Sequence, residues 1–342
     1  MNIFSKIALQ SMKKSRVRTA VTVTGVILST AMITAVSVFV VSLQNYVVNG
    51  AIVKYGGWHA AFLDASPTFI QERSHDIEAA ETASFENIGY AVLKGGNNPG
   101  KPYLFIAGFN KETFDTLPIR LISGRLPENS KEILVPAHVA ANGGVKISTG
   151  STISLSVGNR MSGNEVLSQH TPYTGINGSG ASKEILVPKM RKTYTVVGIC
   201  ERPPFEEYTA PGYTMITMAE KSGRADSYSV FVTLKNPRKV HTYAASLAES
   251  RNYAFNDEVL RFMGLSDDRI FNTLLYSVGG ILTALIMLGS IFLIYNSFSI
   301  SLNDRIRQFG ILMSIGATKR QLRNSVLFEG LCIGAVGIPA EF

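Results

Sequence analysis

Charge is what this chain most conspicuously lacks. No acidic residue occurs in the first eighteen positions, and no charge of either sign occurs from Thr19 to Val53 or, for 33 residues, from Phe271 to Asn303. A helix rises about 1.5 Å per residue, so about 20 apolar residues cross the hydrocarbon layer of a bilayer. Both runs are long enough, which excludes a wholly soluble protein. Cysteine is nearly absent, with only Cys200 and Cys332, which the topology below assigns to different compartments. No disulfide framework holds the chain together. His59, His75, His138, His170 and His241 are scattered without ligand-pair spacing, and no Gly-x-Ser-x-Gly elbow is present. Nothing in this inventory supports a metal site, a cofactor site or an enzyme.

The charge that is present has an informative location. The net charge is +8 and the mean hydropathy +0.15. Lys6, Lys13, Lys14, Arg16 and Arg18 put +5 in residues 1–18, and residues 303–342 carry +2, leaving +1 for everything between. A nucleic-acid binder would carry its basic face on the folded domain, and here that domain is nearly neutral. Positive residues flank each apolar run on one side, and each run independently gives the same orientation by the positive-inside rule. The expected order is a cytoplasmic N-terminus (1–18), a first span (19–48), an external domain (50–270), a second span (271–300), a cytoplasmic elbow (301–324) and a third apolar stretch (325–342). The first run is too long for a cleaved signal peptide. Its small residues Gly25, Ser29, Ala31, Thr34, Ala35 and Ser37 permit close packing in a bundle. The third stretch, Val326 to Ile338, is too short to span and reads as a transmembrane helix cut off at the end of this sequence.

The external region alternates strand-like and helix-like segments, an α+β pattern. Residues 58–63, 85–93, 103–109, 133–135, 152–157, 194–199, 213–217 and 228–234 read as strands, rich in β-branched and aromatic residues. Ser66-Pro67 opens a helix to about Ala80 and Asn236-Pro237 another to about Glu249, each with an N-cap followed by proline. Gly158 to Ser182 lacks periodicity and reads as a mobile loop. Lys-Glu-Ile-Leu-Val-Pro occurs at 131–136 and 183–188, a coincidence or a pair of edge strands ended by proline. Gly95 to Lys101 fits Gly-x4-Gly-Lys of a phosphate-binding loop. Pro102 then stands where the chemistry needs a hydroxyl and a helical N–H, so this segment is a turn. Asp267-Asp268 reads as the capped start of the second span.

In the elbow, Ile306, Phe309, Leu312 or Met313, and Gly316 recur at helical spacing and share a face. Gly316-Ala317 breaks that helix, and Thr318-Lys-Arg-Gln321 fits a capping box opening another. On spacing alone, two readings stand. One is an amphipathic connector on anionic lipid; the other is a docking surface with Phe309 and Leu312 as apolar anchors among arginines.

The run from Arg305 through Arg307, Phe309, Gly310, Leu312, Gly316, Ala317 and Thr318 to Gln321 resembles the signature after the second span of FtsX-like permeases of ABC transporters. Ser123-Gly-Arg-Leu-Pro, Lys131-Glu-Ile-Leu-Val, Gly150-Ser-Thr-Ile-Ser-Leu and Tyr194-Thr-Val-Val-Gly-Ile are similar to the MacB-like extracellular core. Phe255 to Gly264 and Ile294 to Ile300 resemble a subgroup common in Gram-positive bacteria. The resemblance implies a non-enzymatic permease in a bacterial cell membrane, in contact with lipid and with a second permease half or a second copy. It implies a cytoplasmic ABC ATPase that holds ATP and magnesium itself and docks on the elbow at those nine residues. Movement would pass to the external domain for efflux, antimicrobial-peptide resistance or lipoprotein or peptide release, with no nucleic acid involved. A regulator of a cell-wall hydrolase shares every one of these motifs. A two-span sensor fits less well, since an apolar stretch returns to the membrane soon after the second span.

Overall fold

The computed structural model describes residues 3–175, 184–220, 225–247 and 253–339. The chain divides into two compact units, Val47–Asp268 and the helical remainder, Met1–Tyr46 with Arg269–Phe342. In chain order the elements are α1 (Ile3–Lys14), α2 (Arg16–Tyr55), β1 (Ala60–Ala65), α3 (Pro67–Ser74), β2 (Ala79–Val92), β3 (Tyr103–Phe109), α4 (Lys111–Thr116), β4 (Leu121–Gly124), β5 (Glu132–Pro136) and α5 (His138–Ala141). They continue with β6 (Thr152–Ser162), β7 (Glu165–Leu167), β8 (Ile185–Cys200), β9 (Gly212–Met218), β10 (Tyr228–Leu234), α6 (Val240–Leu247), β11 (Tyr253–Phe255), α7 (Asp257–Met263), α8 (Arg269–Ser314) and α9 (Lys319–Gly337).

The domain is an α+β unit around one mixed sheet, ordered β11-β1-β10-β2-β3-β9-β5-β8-β6-β7, with β4 paired to β8. Tyr90 of β2 also pairs with Gly158 of β6, so six of the strands close on themselves. At the centre, β3 and β9 run parallel. A strand covered on both faces needs apolar residues at successive positions rather than alternate ones. Tyr103–Phe109 supplies that and is buried throughout. The strand period of two then sorts its residues: Leu104 and Ile106 join one cluster with Ile133, Val135, Val196 and Met215. Phe105, Ala107 and Phe109 face an aromatic cluster with Phe85, Phe231 and Trp58. Across β1 and β10, Ala60, Phe62, Val230 and Val232 face the helical side, where Phe69, Val240, Tyr243 and Leu260 cover them. A bulge at Asp64, whose φ is 53°, shifts the parity so that Ala65 joins the same face as Phe62.

All eight expected strands are present, two with the same bounds, at 103–109 and 228–234. Ser66 caps α3, accepting from the Phe69 N–H, with Pro67 first in the helix. That helix ends at Ser74, and Ala79 and Ala80 belong to β2, so the expected helix to Ala80 is too long. The cause is Asp76, which accepts from the Glu78 N–H at 2.9 Å and from the Tyr243 hydroxyl at 2.7 Å and forms the turn. Asn236 also caps, but its first turn is a 3-10 helix at Pro237–Lys239. The expected end of that helix, at Glu249, lies outside the described residues.

Two further readings are corrected. Residues 158–182 are not one loop: β6 continues to Ser162 and turns back into β7. The last expected loop residues, 176–182, lie outside the described residues. The repeated hexamer is not a pair of edge strands, because β5 lies between β8 and β9. Pro136 does end β5, whereas Pro188 sits inside β8, opposite Gly158 at a register shift where the ladder is already interrupted. Gly95 to Lys101 is the expected turn, between β2 and β3.

In the helical unit, α2 has 40 residues and α8 has 46. Among the described residues, Arg16–Tyr55 and Arg269–Ser299 are long and apolar enough to span a bilayer. The small-residue stripe of α2 makes contact over its first half. Ser29 is fully buried and donates to the Ser290 carbonyl at 3.2 Å. A Cβ on Gly25 would collide with the Ser297 hydroxyl. Thr34 is half-buried, while Ala35 and Ser37 are exposed. Within this unit the sequence reading missed α1, which makes the basic N-terminus a helix that packs against α9.

Candidate functional site

The elbow begins as the last turns of α8, which continues without a break from the second apolar run. Its end is set by Gly316, whose φ of 94° is costly for any residue with a Cβ. The Gly316 N–H donates to the Met313 carbonyl and the Ala317 N–H to the Leu312 carbonyl, each at 3.0 Å. Those are the paired bonds of a Schellman motif. Two residues on, Thr318 accepts from the Gln321 N–H at 3.3 Å, and the Gln321 side chain accepts from the Thr318 N–H at 2.9 Å. The turn is therefore closed from both sides, and α9 follows for 19 residues.

Within this turn, Ala317 and Gln321 are half-buried, and Gly310, Gly316 and Thr318 are exposed. The expected anchors Phe309 and Leu312 are half-buried in the helical unit. The side chains of Arg305 and Arg307 lie outside the described residues. The large apolar groups facing outward are Ile306 (61% exposed), Ile311 (59%) and Ile315 (77%), with Met313 between the last two and the exposed Lys319 and Arg320 beyond the turn. The stripe that sequence periodicity marked is divided: Phe309 and Leu312 are half-buried, whereas Ile306, Met313 and Gly316 are exposed. The neighbouring Ile311–Ile315 pair, four residues apart, was legible by the same rule.

The domain holds two buried charge clusters that no motif announced. Glu206 is fully enclosed: Lys101 Nζ donates to Oε1 at 2.6 Å, His138 Nε2 lies 2.8 Å from that oxygen, and the Thr214 N–H donates to Oε2 at 2.7 Å. Burial alone would push this carboxyl up. The hydrogen bond and charge of His138, with those of Lys101, outweigh it and hold the carboxyl at about 2. The lysine of the false phosphate loop is thus structural, its own pKa lowered by burial. Arg160 and Glu184, both fully buried, form a two-pronged pair at 3.0 and 2.7 Å. Arg160 also donates to the Ser168 carbonyl at 2.6 Å and lies over the rings of Tyr90 and Tyr103.

Beside these clusters the domain surface holds two adjoining hollows of about 330 and 400 Å³, both lined by Leu63, Phe105, Gln169, His170 and Ser229. Among the described residues no group of three or more His, Cys, Asp or Glu side chains could hold a metal ion.

Two family models match the chain. Residues 19–250 match the family model of the MacB-like periplasmic core domain, and residues 280–339 match that of the FtsX-like permease C-terminal region. No curated protein matches. Among solved structures the chain is similar to the extracellular domain of the noncanonic ABC-type transporter YknZ from Gram-positive bacteria, at 9% identity and a TM-score of 0.30. That match covers 58% of this chain and 98% of the other. A domain assigned to a permease protein from Porphyromonas gingivalis aligns at 11% identity and a TM-score of 0.28, covering 57% and 80% respectively. The first family model alone spans more than half of the chain, and the chain therefore belongs to the ABC-transporter permease family of FtsX-like proteins with a MacB-like core domain.

Proposed function

We propose that this chain is the permease subunit through which a separate cytoplasmic ATPase drives movement of the extracellular domain. The observation that carries the reading is the form of α8. It is one uninterrupted helix from Arg269, at the domain boundary, to Ser314, and the doubly capped turn then fixes the start of α9. At 1.5 Å per residue, α8 is about 69 Å long, roughly twice the hydrocarbon thickness. A helix of that length transmits a displacement at one end to the other, and a capped turn gives a partner a shaped surface to push on. ATP and magnesium belong to the partner in this scheme. The basic flanks of both spans support a cytoplasmic N-terminus and elbow. The spans carry no charged residue, which favours work done by the external domain over passage of an ion or polar substrate between the helices. Efflux, peptide resistance and lipoprotein or peptide release all fit such a device, with a second copy or permease half completing the bundle.

The test is co-purification with the cognate ATPase. Ile311→Asp and Ile315→Asp on the exposed face, and Phe309→Asp or Leu312→Asp on the packed face, each abolish the association, while the chain remains in the membrane fraction. Retention of the ATPase by all four variants would reject the elbow as the docking surface.

A further inference from the structure

At the junction of α1 and α2 the helical unit has an open notch of about 570 Å³, lined by Lys14, Ser15, Arg16, Arg18 and Val21 with Ser297 of α8. We propose that this notch binds the phosphate of an anionic phospholipid, and that this lipid is held as a specific ligand rather than as part of a general surface cloud.

Three cations converge there without a counter-charge. Among the described residues, Lys14, Arg16 and Arg18 make no ion pair, and no acidic residue lines the notch. Among the described residues Arg18 reaches only the Ser11 hydroxyl, at 3.4 Å, and its Nε is shielded from solvent with no hydrogen-bond partner. A shielded guanidinium nitrogen left unbonded is costly, and a phosphate oxygen is the acceptor that best fits its planar donor set.

The binding does not come from a bare helix end. The Ser15 N–H is bonded to the Ser11 carbonyl and the Thr19 N–H to the Ser15 carbonyl, so the backbone runs almost helically through the junction. The Thr19 hydroxyl donates to the Met12 carbonyl at 3.0 Å and holds α1 against α2. The walls are therefore fixed and the cations are presented by side chains.

The neighbouring surface selects a lipid over free phosphate. Val17 is 80% exposed and Val21 48%, on the stretch of α2 where the apolar run begins. A headgroup seated among the cations leaves its acyl chains against these valines and the apolar helix beyond. Free phosphate would gain only the first of these contacts. The inference rests on α2 crossing a bilayer and not on ATPase docking.

The test uses the full chain in lipid nanodiscs containing phosphatidylcholine and phosphatidylglycerol, with retained lipid counted by native mass spectrometry. The wild type retains phosphatidylglycerol preferentially. Arg16→Gln with Arg18→Gln lowers that preference about thirtyfold, equivalent to about 2 kcal/mol. Lys6→Gln with Lys13→Gln, an equal loss of charge on α1 away from the notch, leaves the preference intact. Val21→Trp fills the notch without changing charge and also lowers retention, which decides the matter should the arginine variant fail to insert. Equal loss in both charge variants, unchanged retention in Val21→Trp, or release of the lipid by inorganic phosphate would each overturn the proposal. ATPase co-purification, measured in parallel, separates this outcome from failure of the docking reading.

Discussion

At the scale of single residues, the most consequential groups in the domain are ones its sequence did not announce. Arg160 and Glu184 lie 24 positions apart, on either side of a segment rich in Gly, Ser, Asn and Thr. Neither charge carries a spacing signal, because their meeting is created by the β6–β8 ladder. Their pairing ties β6 to the residue that precedes β8. A buried ion pair stripped of one partner leaves an uncompensated charge, so Glu184→Gln costs about 3–5 kcal/mol. Replacing both, as Arg160→Met with Glu184→Leu, costs markedly less than the single change, because no charge is left stranded. Trp58, the chain's one tryptophan, is buried in the aromatic cluster, so its fluorescence during urea unfolding reads both variants directly. Equal destabilisation by the single and double changes would assign the role to packing rather than charge. The Glu206 cluster teaches the same lesson: Lys101 was legible as a failed phosphate ligand, but its partner, 105 positions away, was not.

At the scale of elements, reading worked where one local rule governs. Strands buried on both faces appear as unbroken apolar runs, and caps appear as a polar residue followed by proline or by Gln three positions later. The Ser66, Asn236 and Thr318 caps were all legible for that reason. Boundaries failed where a turn depends on partners distant in sequence, as at Asp76, whose Tyr243 contact lies 167 positions away. The short elements α4, β4, β7, β11 and α7 escaped because each is too brief for its period to show. The α8–α9 turn yields a prediction at this scale. A Cβ at position 316 would meet nothing within 4 Å, so the effect of Gly316→Val is purely on the backbone. At φ of 94° that strain is about 1–2 kcal/mol, more for a β-branched side chain. Spin labels at Ile311 and Leu327 give a broadened or shifted distance distribution in the variant. A distribution identical to that of the native turn would show that the capping box holds the geometry without the glycine.

At the scale of the whole molecule, the two long uncharged runs carried the reading, since no other feature of comparable length admits so few explanations. The family followed from motifs in order along the chain, and the match of residues 19–250 and 280–339 bears it out. Orientation is testable with a membrane-impermeant maleimide. Tyr208 is 93% exposed on the domain, so Tyr208→Cys labels in intact cells, whereas Lys319→Cys labels only after lysis. The opposite pattern would invert the molecule. The contact between α2 and α8 carries its own consequence. It is tightest where Gly25 meets Ser297 and Ser29 meets Ser290, while Val38 to Val41 and Leu282 to Leu288 turn apolar side chains outward. The clasp grips α2 in its first half and α8 at mid-length, so a twist applied there would swing the free lengths beyond it like the arms of tongs. An alanine at position 25 would wedge that clasp open.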